Sequence, residues 1–262
     1  MWMICSKRKK YTMLLNNVSL KEALVIGGSN GIGLSVVMNL NGYDKIHIID
    51  KIAPEKDLPV NIRFHEFDLL NADYSVFDQF TSINTLIITA GFGRLALFKD
   101  VQEDEIINSF MVNSIGVIRI IKRFYNKMLS TTDFYCAVMG SISGYLSSPF
   151  YSIYGATKAA LCKFIESVNV ELEKNGTNNR ILNISSGSIA GTKFNNGKEN
   201  DLDSLKSLTI HILEQLYTKS DLYIPDYEKT YKEVLNRYQT DFRSFGLQSY
   251  DYKLNKIDNN IF

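Results

Sequence analysis

The fold of this 262-residue chain is decided by the stretch Gly27-Gly28-Ser29-Asn30-Gly31-Ile32-Gly33. An apolar run, Ala23–Gly27, leads into it, and a segment with helical periodicity, Gly31–Asn41, leads out. Glycines let a backbone turn sharply and approach a diphosphate, whose charge the N–H groups and dipole of the following helix stabilise. We therefore predict a strand, a dinucleotide-binding turn and a helix. A tight strand-to-helix turn without a ligand is the alternative.

Apolar runs and helix-period segments alternate along the rest of the chain. The expected strands are Ala23–Gly27, Lys45–Asp50, Asn61–Phe67, Asn84–Thr89, Phe134–Gly140, Arg180–Ile184 and Asp221–Ile224. The expected helices are Gly31–Asn41, Glu103–Met128, Ser152–Lys174, Asp201–Thr218 and Tyr227–Tyr238. Continuously apolar strands between helices indicate a parallel sheet covered on both faces. Right-handed crossovers then give an α/β, doubly wound (Rossmann), mostly parallel seven-stranded sheet.

The chain is predicted to form one domain, because no Pro/Gly/Ser-rich linker divides it. We place the Rossmann domain at 20–240, between a flexible N-terminal extension at 1–19 and a C-terminal tail at 241–262. The polar insertion at 193–204 is expected to be a mobile loop.

Composition argues against several classes of partner. The formal net charge is +1 and hydrophobic residues make up 45%, so we expect a sizeable core but neither a nucleic-acid nor a membrane partner. The three cysteines are Cys5, Cys136 and Cys162. Sparse cysteines without a C-x-x-C motif suit free thiols in a reducing cytoplasm, and no metal site is expected. Lys7–Lys10 is basic, but no long apolar segment follows, so a secretory signal is not expected; a basic tether is the alternative.

Asp50 ends the second expected strand and is the candidate ribose ligand. A carboxylate at this point can accept both hydroxyls of the adenosine ribose and would repel a 2′-phosphate. The nearby cation is Lys51, and the glycine loop holds no arginine. NAD is therefore favoured over NADP. An ordinary strand-end aspartate is the alternative.

A tyrosine and a lysine stand one helical turn apart at Tyr154 and Lys158, on one face of an expected helix. The spacing alone is weak, since the pair Tyr252/Lys256 repeats it in the tail. Ser141, however, follows the fifth strand, at the sheet edge where doubly wound folds bind ligands. A surface tyrosine beside a lysine is the alternative.

This trio suits the reduction of a carbonyl, which needs a hydride on carbon and a proton on oxygen. A free tyrosine, with a pKa of about 10, is a poor base near pH 7, and lowering that pKa by three units takes roughly 4 kcal/mol. An ammonium about 4 Å away supplies a similar amount at an effective dielectric of 20. Lys158 is thus predicted to make Tyr154 a usable acid/base.

Taken in chain order, these residues resemble the short-chain dehydrogenase/reductase family over about residues 20–192, and more loosely to about 240. The landmarks are the glycine motif, Asp50, Asp68-Leu69, Thr89-Ala90-Gly91, Asn113, Ser141 and Tyr154/Lys158. The departures from the family pattern are Ile26 for threonine, Thr89 for asparagine and Ser186-Gly187 for Pro-Gly.

The resemblance implies a role for each catalytic residue. Tyr154 would be the general acid/base, and Ser141 would hold the substrate oxygen. Lys158 would lower the tyrosine pKa and bind the nicotinamide ribose, and Asn113 would position a water that relays protons to Lys158.

The resemblance also implies a set of cofactor contacts. Asp68 would bond the adenine amino group, Leu69 would contribute its backbone, Ala90 and Gly91 would line the ribose, and Ile189 and Thr192 would contact the carboxamide. The full set expected to bind the cofactor is Gly27, Ser29, Asn30, Gly31, Ile32, Gly33, Asp50, Asp68, Leu69, Ala90, Gly91, Tyr154, Lys158, Gly187, Ile189 and Thr192. Family members commonly form homodimers or homotetramers through the helices that correspond to 103–128 and 152–174.

We therefore expect an oxidoreductase that uses NAD, or less favourably NADP, on a small-molecule substrate. The polar segment 193–208, beside Tyr145, Phe150 and Tyr151, suits a sugar, a polyol or an oxo-acid. A dinucleotide sensor or scaffold on the same fold is the alternative, since fold does not dictate activity. Epimerisation of a sugar nucleotide is disfavoured, because only about 70 residues follow the sixth strand.

Overall fold

The computed structural model describes residues 20–192, 194 and 201–258. The expected N-terminal extension and Cys5 lie outside these ranges, as does most of the polar insertion.

The fold is built on one parallel sheet of seven strands, as predicted. The strands are β1 Glu22–Ile26, β2 Lys45–Asp50, β3 Ile62–Glu66, β4 Thr85–Ile88, β5 Tyr135–Met139, β6 Ile181–Ile184 and β7 Leu222–Tyr223. Their order across the sheet is β3-β2-β1-β4-β5-β6-β7, and every neighbouring pair is parallel. Strands β2 and β3 extend the sheet on one side of β1, and β4 then begins the other side, directly next to β1. This reversal opens a crevice at the carboxyl ends of β1 and β4, where such sheets bind ligands.

Seven α-helices connect or follow these strands within the described residues. They are α1 Gly31–Asn39, α2 Glu103–Phe110, α3 Gly116–Met128, α4 Ser152–Lys174, α5 Leu202–Tyr217, α6 Lys232–Thr240 and α7 Phe242–Asp258. A π-helical turn, Tyr227–Tyr231, precedes α6.

The single helix expected over 103–128 is interrupted by a π-helical turn at Met111–Ile115. Gly116 stands at the end of this turn. A Cβ there would lie 2.6 Å from the Tyr74 hydroxyl and 2.9 Å from the Met111 carbonyl oxygen. The glycine therefore admits Tyr74 against the helix backbone, a contact that the local sequence does not reveal.

The hydrophobic core has two layers, one on each face of the sheet. On one face Leu24 and Leu86 pack with Phe124 of α3 and Leu161 of α4. On the other face the strands alternate to present residues such as Val25 and Ile87, which pack against α1 and α5. Burial on both faces explains why the strands are continuously apolar rather than alternating.

Residues 242–258, which the sequence pattern suggests to be part of a tail, form helix α7. The ring of Tyr250 on α7 packs on Phe150, with centroids 4.9 Å apart. The Lys253 ammonium donates hydrogen bonds to Ser148 Oγ (2.8 Å) and to the Pro149 carbonyl (2.9 Å). These contacts hold α7 against the segment that precedes α4, so Tyr250 packs on its own domain.

Two imidazoles share a hydrogen bond on strands β2 and β3. His47 Nδ1 and His65 Nε2 are 3.0 Å apart, and His47 Nε2 lies 3.8 Å from the Glu22 carboxylate. Burial lowers the pKa of both histidines, and the positive charge of nearby Arg63 acts in the same direction. Both rings are therefore held in their neutral form at pH 7.

This pair predicts a loss of stability in mild acid. The folded-state pKa values lie below the ordinary value of 6.5, so below that pH the unfolded chain binds more protons than the folded one. The free energy of unfolding should fall as the pH drops through 6.5 and level off below the folded pKa values. Urea denaturation at pH 7.5 and 5.5 measures the loss in the free energy of unfolding. This loss should be smaller in the double variant that carries both His47→Asn and His65→Asn. His211→Asn, on the exposed side of α5, is the matched control and should keep the wild-type loss; a double variant that also keeps it contradicts the prediction.

Candidate active site

The glycine turn brings the end of β1 against the end of β4. Gly27 has φ of +82°, in the left-handed region that favours glycine, and a Cβ there would lie 2.5 Å from the Ala90 nitrogen. A Cβ on Gly33 would overlap the Gly27 carbonyl oxygen. The first turn of α1 therefore rests directly on the loop, and its N-terminus faces the crevice between β1 and β4.

A cleft of about 880 Å³ runs from this turn across the carboxyl edge of the sheet. It brings together most of the residues that the sequence predicts for the site. Those that line it are Gly27, Asn30, Gly31, Ile32, Gly33, Asp50, Asp68, Leu69, Ala90, Gly91, Ser141, Tyr154, Lys158, Gly187, Ile189 and Thr192. Ser29 and Asn113 are buried beside the cleft instead of lining it.

Asp50 links the glycine loop to the end of β2. Its Oδ2 accepts a hydrogen bond from the Ser29 backbone N–H at 3.1 Å, and its Oδ1 accepts one from the Lys51 N–H at 2.8 Å. The Ser29 hydroxyl is buried and has no hydrogen-bond partner among the described residues. A cradle of close glycines, an acidic strand end and an unsatisfied hydroxyl fit a dinucleotide with a diphosphate and a ribose diol.

The segment after β3 forms a tight turn at the same end of the cleft. Asp68 Oδ1 accepts a hydrogen bond from the Leu70 N–H at 2.9 Å. The Leu69 carbonyl accepts one from the Tyr74 hydroxyl at 2.6 Å. The turn is thus fixed from both sides, with Leu69 buried and the Asp68 carboxylate bordering the cleft.

One departure from the expected family pattern, Thr89, has a structural role through its side chain, and the turn at a second departure, Ser186, is fixed through the backbone. The Thr89 hydroxyl lies 3.1 Å from each of the carbonyl oxygens of Ile26 and Gly27, so it fastens the glycine turn to β4. The Ser186 carbonyl accepts a hydrogen bond from the Ile142 N–H at 3.0 Å and ties the β6 turn to the turn after β5.

Tyr154 and Ser141 meet at the other end of the cleft. Burial raises the pKa of Tyr154 to about 12, against the opposing effect of a hydrogen bond with Ser141. Tyr154 packs between Tyr151 and Phe194, with ring centroids 5.9 Å and 5.2 Å away. The phenol is therefore protonated at pH 7 and can donate a proton.

Lys158 is almost completely buried and donates a hydrogen bond to the Met139 carbonyl at 2.7 Å. Its Nζ lies 5.7 Å from the centroid of the Tyr154 ring, and burial lowers the pKa of Lys158 to about 8. The pKa shift expected from the sequence, a lowering of the Tyr154 pKa, is not found in this structure. The physical reason is that burial removes water from the phenol, and this desolvation is the largest cause of the shift in its pKa.

Asn113 lies in the π-helical turn and clamps the loop after β4. Its Oδ1 accepts from the Phe92 N–H at 2.9 Å, and its Nδ2 donates to the Phe92 carbonyl at 2.8 Å and to Thr157 Oγ1 at 3.2 Å. Its side chain is thus engaged by protein groups and holds the Gly91–Phe92 segment against α4. The water relay remains a prediction.

Several cleft residues come from α6, α7 and the turn before α6, and the sequence does not predict them. They are Tyr231, Val234, Phe245, Ser249, Tyr252 and Lys253. The Tyr231 hydroxyl packs so closely on Gly187 that a Cβ at this glycine would collide with it. The aromatic residues of the C-terminal region were the available signal, but a sequence pattern does not show where such a segment folds back.

The sequence profile of the family described as "short chain dehydrogenase" matches residues 21–203. The chain belongs to the short-chain dehydrogenase family. This family membership makes it one of a group of oxidoreductases that use NAD or NADP.

Among curated relatives, dehydrogenase RED2 of Cochliobolus heterostrophus is 29% identical to this chain over 160 residues. The match covers 58% of the chain and 60% of the relative, so the chain spans under two thirds of that protein's length.

Solved structures share the fold. A short-chain dehydrogenase from Streptomyces avermitilis has a TM-score of 0.72 at 17% identity, over 88% of this chain and 99% of that one. A Burkholderia cenocepacia short-chain dehydrogenase in complex with NADP has a TM-score of 0.67 at 18% identity, over 84% and 97%. In the described part of the chain, no helix has both the length and the hydropathy that crossing a membrane requires.

The close approach of Gly27 to Ala90 predicts a sharp effect of one methyl group. Gly27→Ala adds a backbone collision to the cost of a left-handed conformation, which is about 1–2 kcal/mol for a residue with a Cβ. Gly42→Ala is the matched control, since Gly42 has φ of +76° but no atom within 4 Å of an added Cβ. Urea denaturation and NADH titration should show lower stability and at least tenfold weaker binding for Gly27→Ala than for the control. Equal behaviour of the two variants would refute the steric explanation.

Proposed function

We propose that this short-chain dehydrogenase interconverts an alcohol and a carbonyl on a small polar substrate, with NAD(H) as the cofactor and Tyr154 as the general acid/base. The observation that carries the proposal is the meeting of Ser141, Tyr154 and Lys158 at one end of the cleft whose other end holds the glycine turn and Asp50. The glycine turn and Asp50 would hold the diphosphate and the adenosine ribose of a dinucleotide, and its nicotinamide would supply the hydride for the proton-transfer residues at the other end.

In the reductive direction, the substrate oxygen accepts hydrogen bonds from the Ser141 and Tyr154 hydroxyls. NADH, when bound, would supply the hydride that the carbonyl carbon accepts. The phenolic proton of Tyr154 goes to the oxygen as the C–O π bond breaks, which yields the alcohol. Lys158 then stabilises the phenolate until a solvent proton replaces the one transferred. Because its pKa is raised to about 12, Tyr154 begins this step in the protonated form that reduction requires.

The choice of NAD over NADP rests on Asp50. Its carboxylate borders the cleft at the end of β2 and is held by two backbone N–H groups. A 2′-phosphate on the ribose would bring like charges together at this point, whereas a free diol can donate to both carboxylate oxygens. The Burkholderia relative is described with NADP, so the proposal is that Asp50 sets a different preference in this chain.

The cellular and oligomeric setting is proposed from the buried thiols and from two exposed apolar side chains. The thiols of Cys136 and Cys162 are free and buried, which suits a reducing cytoplasm. Two exposed apolar residues are Ile115, at the end of the π-helical turn before α3, and Val170 on α4. Family members pair through the helices at these positions. We propose a cytoplasmic homodimer or homotetramer.

A dinucleotide sensor without catalysis is the second candidate. The altered turn residues motivate it, but a sensor needs no phenol, hydroxyl and ammonium together at the nicotinamide end. Tight NADH binding without turnover of any carbonyl in a broad panel would favour the sensor.

Loss of the phenolic proton predicts loss of turnover. Tyr154→Phe should lower kcat/KM for carbonyl reduction by about 10²–10⁴-fold, the usual contribution of a positioned general acid, while NADH affinity stays within about threefold. NADH oxidation at 340 nm and fluorescence titration measure the two quantities. Tyr125→Phe, which removes a hydroxyl near Glu171 away from the cleft, is the control. Full activity in Tyr154→Phe would show that the proton comes from another group.

Removal of the Asp50 charge predicts a change in cofactor preference. Asp50→Asn should raise the ratio of kcat/KM for NADPH over NADH by at least tenfold, because the carboxylate no longer repels the 2′-phosphate. Asp68→Asn, at the same end of the cleft, is the matched control and should affect both cofactors alike. A wild-type enzyme that prefers NADPH, or an unchanged ratio in Asp50→Asn, would overturn the NAD assignment.

A further inference from the structure

Helix α7 forms one wall of the cleft near the catalytic tyrosine. Phe245, Ser249, Tyr252 and Lys253 of this helix line the same cavity as Ser141 and Tyr154. The Lys253 ammonium lies 5.4 Å from the centroid of the Tyr151 ring, and that ring lies 5.9 Å from the ring of Tyr154. A single aromatic ring therefore separates the Lys253 charge from the reacting phenol.

Charge is distributed unequally along the cleft. Its acidic lining residues, within the described ranges, are Asp50 and Asp68, which follow β2 and β3 at the adenosine end. The substrate end holds Lys158 and Lys253, and no described carboxylate lines it. Its other described lining side chains carry no formal charge. This end of the cleft is therefore electropositive and attracts anions.

Lys253 is held in place without an ion pair to any described carboxylate. Its ammonium has three N–H groups, and the hydrogen bonds to Ser148 and Pro149 use two of them. Burial lowers the pKa of Lys253 to about 8, so the side chain still carries its charge at pH 7. A half-buried ammonium with neutral partners gains most from an anionic oxygen that enters the cleft.

We propose that Lys253 is a substrate-recognition residue that binds an anionic oxygen group, a carboxylate or a phosphate ester, carried by the carbonyl substrate a few bonds from the reacting carbon. This inference rests on the proposed function and narrows it from polar substrates in general to oxo-acids and oxo-phosphates. The alternative is a purely structural role, in which Lys253 only fastens α7 to the segment 148–149.

The test compares matched carbonyl pairs that differ in charge. NADH oxidation is followed with 4-formylbenzoate against its methyl ester, and with dihydroxyacetone phosphate against dihydroxyacetone. In at least one pair, the wild-type kcat/KM should favour the anion by at least tenfold. Lys253→Gln should reduce that ratio at least tenfold through KM, and Lys253→Arg should restore much of it. Lys229→Gln, an exposed lysine in the turn before α6, is the matched control and should keep the wild-type ratio.

A binding measurement separates the two proposals. In the Tyr154→Phe background with NAD⁺, calorimetry should show 4-formylbenzoate or dihydroxyacetone phosphate binding at least tenfold more tightly than its neutral partner. The added Lys253→Gln change should abolish the difference. If no pair is turned over but this result holds, the anion site stands and the proposed reaction fails.

The opposite outcomes refute the anion site. If wild-type protein turns over the neutral partners as well as the anions, Lys253 does not select charge. If Lys253→Gln lowers turnover and binding of both members of a pair equally, Lys253 only fastens α7.

Discussion

The close approach of the Gly27 backbone to Ala90 is the constraint on which the site depends. It joins the end of β1 to the end of β4 at a distance that no Cβ permits, and the Thr89 hydroxyl secures it from the β4 side. Because α1 begins four residues later and rests on the same turn, its N-terminus is aimed into the crevice. In the proposed function, the diphosphate of the cofactor would be positioned by this single contact between two backbones.

The catalytic end of the cleft is governed by desolvation. Tyr154 and Lys158 are both buried, so each is shifted toward its neutral form, and the attraction between phenolate and ammonium has a large cost to overcome. The phenol therefore holds its proton at pH 7, which is the form that carbonyl reduction requires, whereas a general acid is most effective when its pKa lies near the operating pH. Asn113 and Thr157 fix the backbone around this pair, so the geometry does not depend on the charges alone.

Much of this architecture could be predicted from the sequence because its signals are local. The alternation of apolar strands and helical segments predicted the seven strands and every described helix except α7, with α2 and α3 taken as one helix. Gly27–Gly33, with Tyr154 and Lys158, predicted both ends of the cleft. The π-helical turn at Met111–Ile115 could not be predicted, since it accommodates Tyr74, a residue distant in sequence. Helix α7 was missed because its apolar residues do not keep a clear helical stripe. The prediction that the pKa of Tyr154 is lowered was wrong in direction, because the spacing of two residues along the sequence does not show how deeply they are buried.

Helices α6 and α7 follow the last strand and add nothing to the sheet, yet they supply one wall of the cleft. The residues proposed for proton transfer, Ser141, Tyr154 and Lys158, all come from earlier elements. Changes of size, charge or polarity along these two helices can thus retarget the enzyme while its chemistry stays intact. Part of the substrate selectivity would then lie in a stretch of the polypeptide that is separate from Ser141, Tyr154 and Lys158.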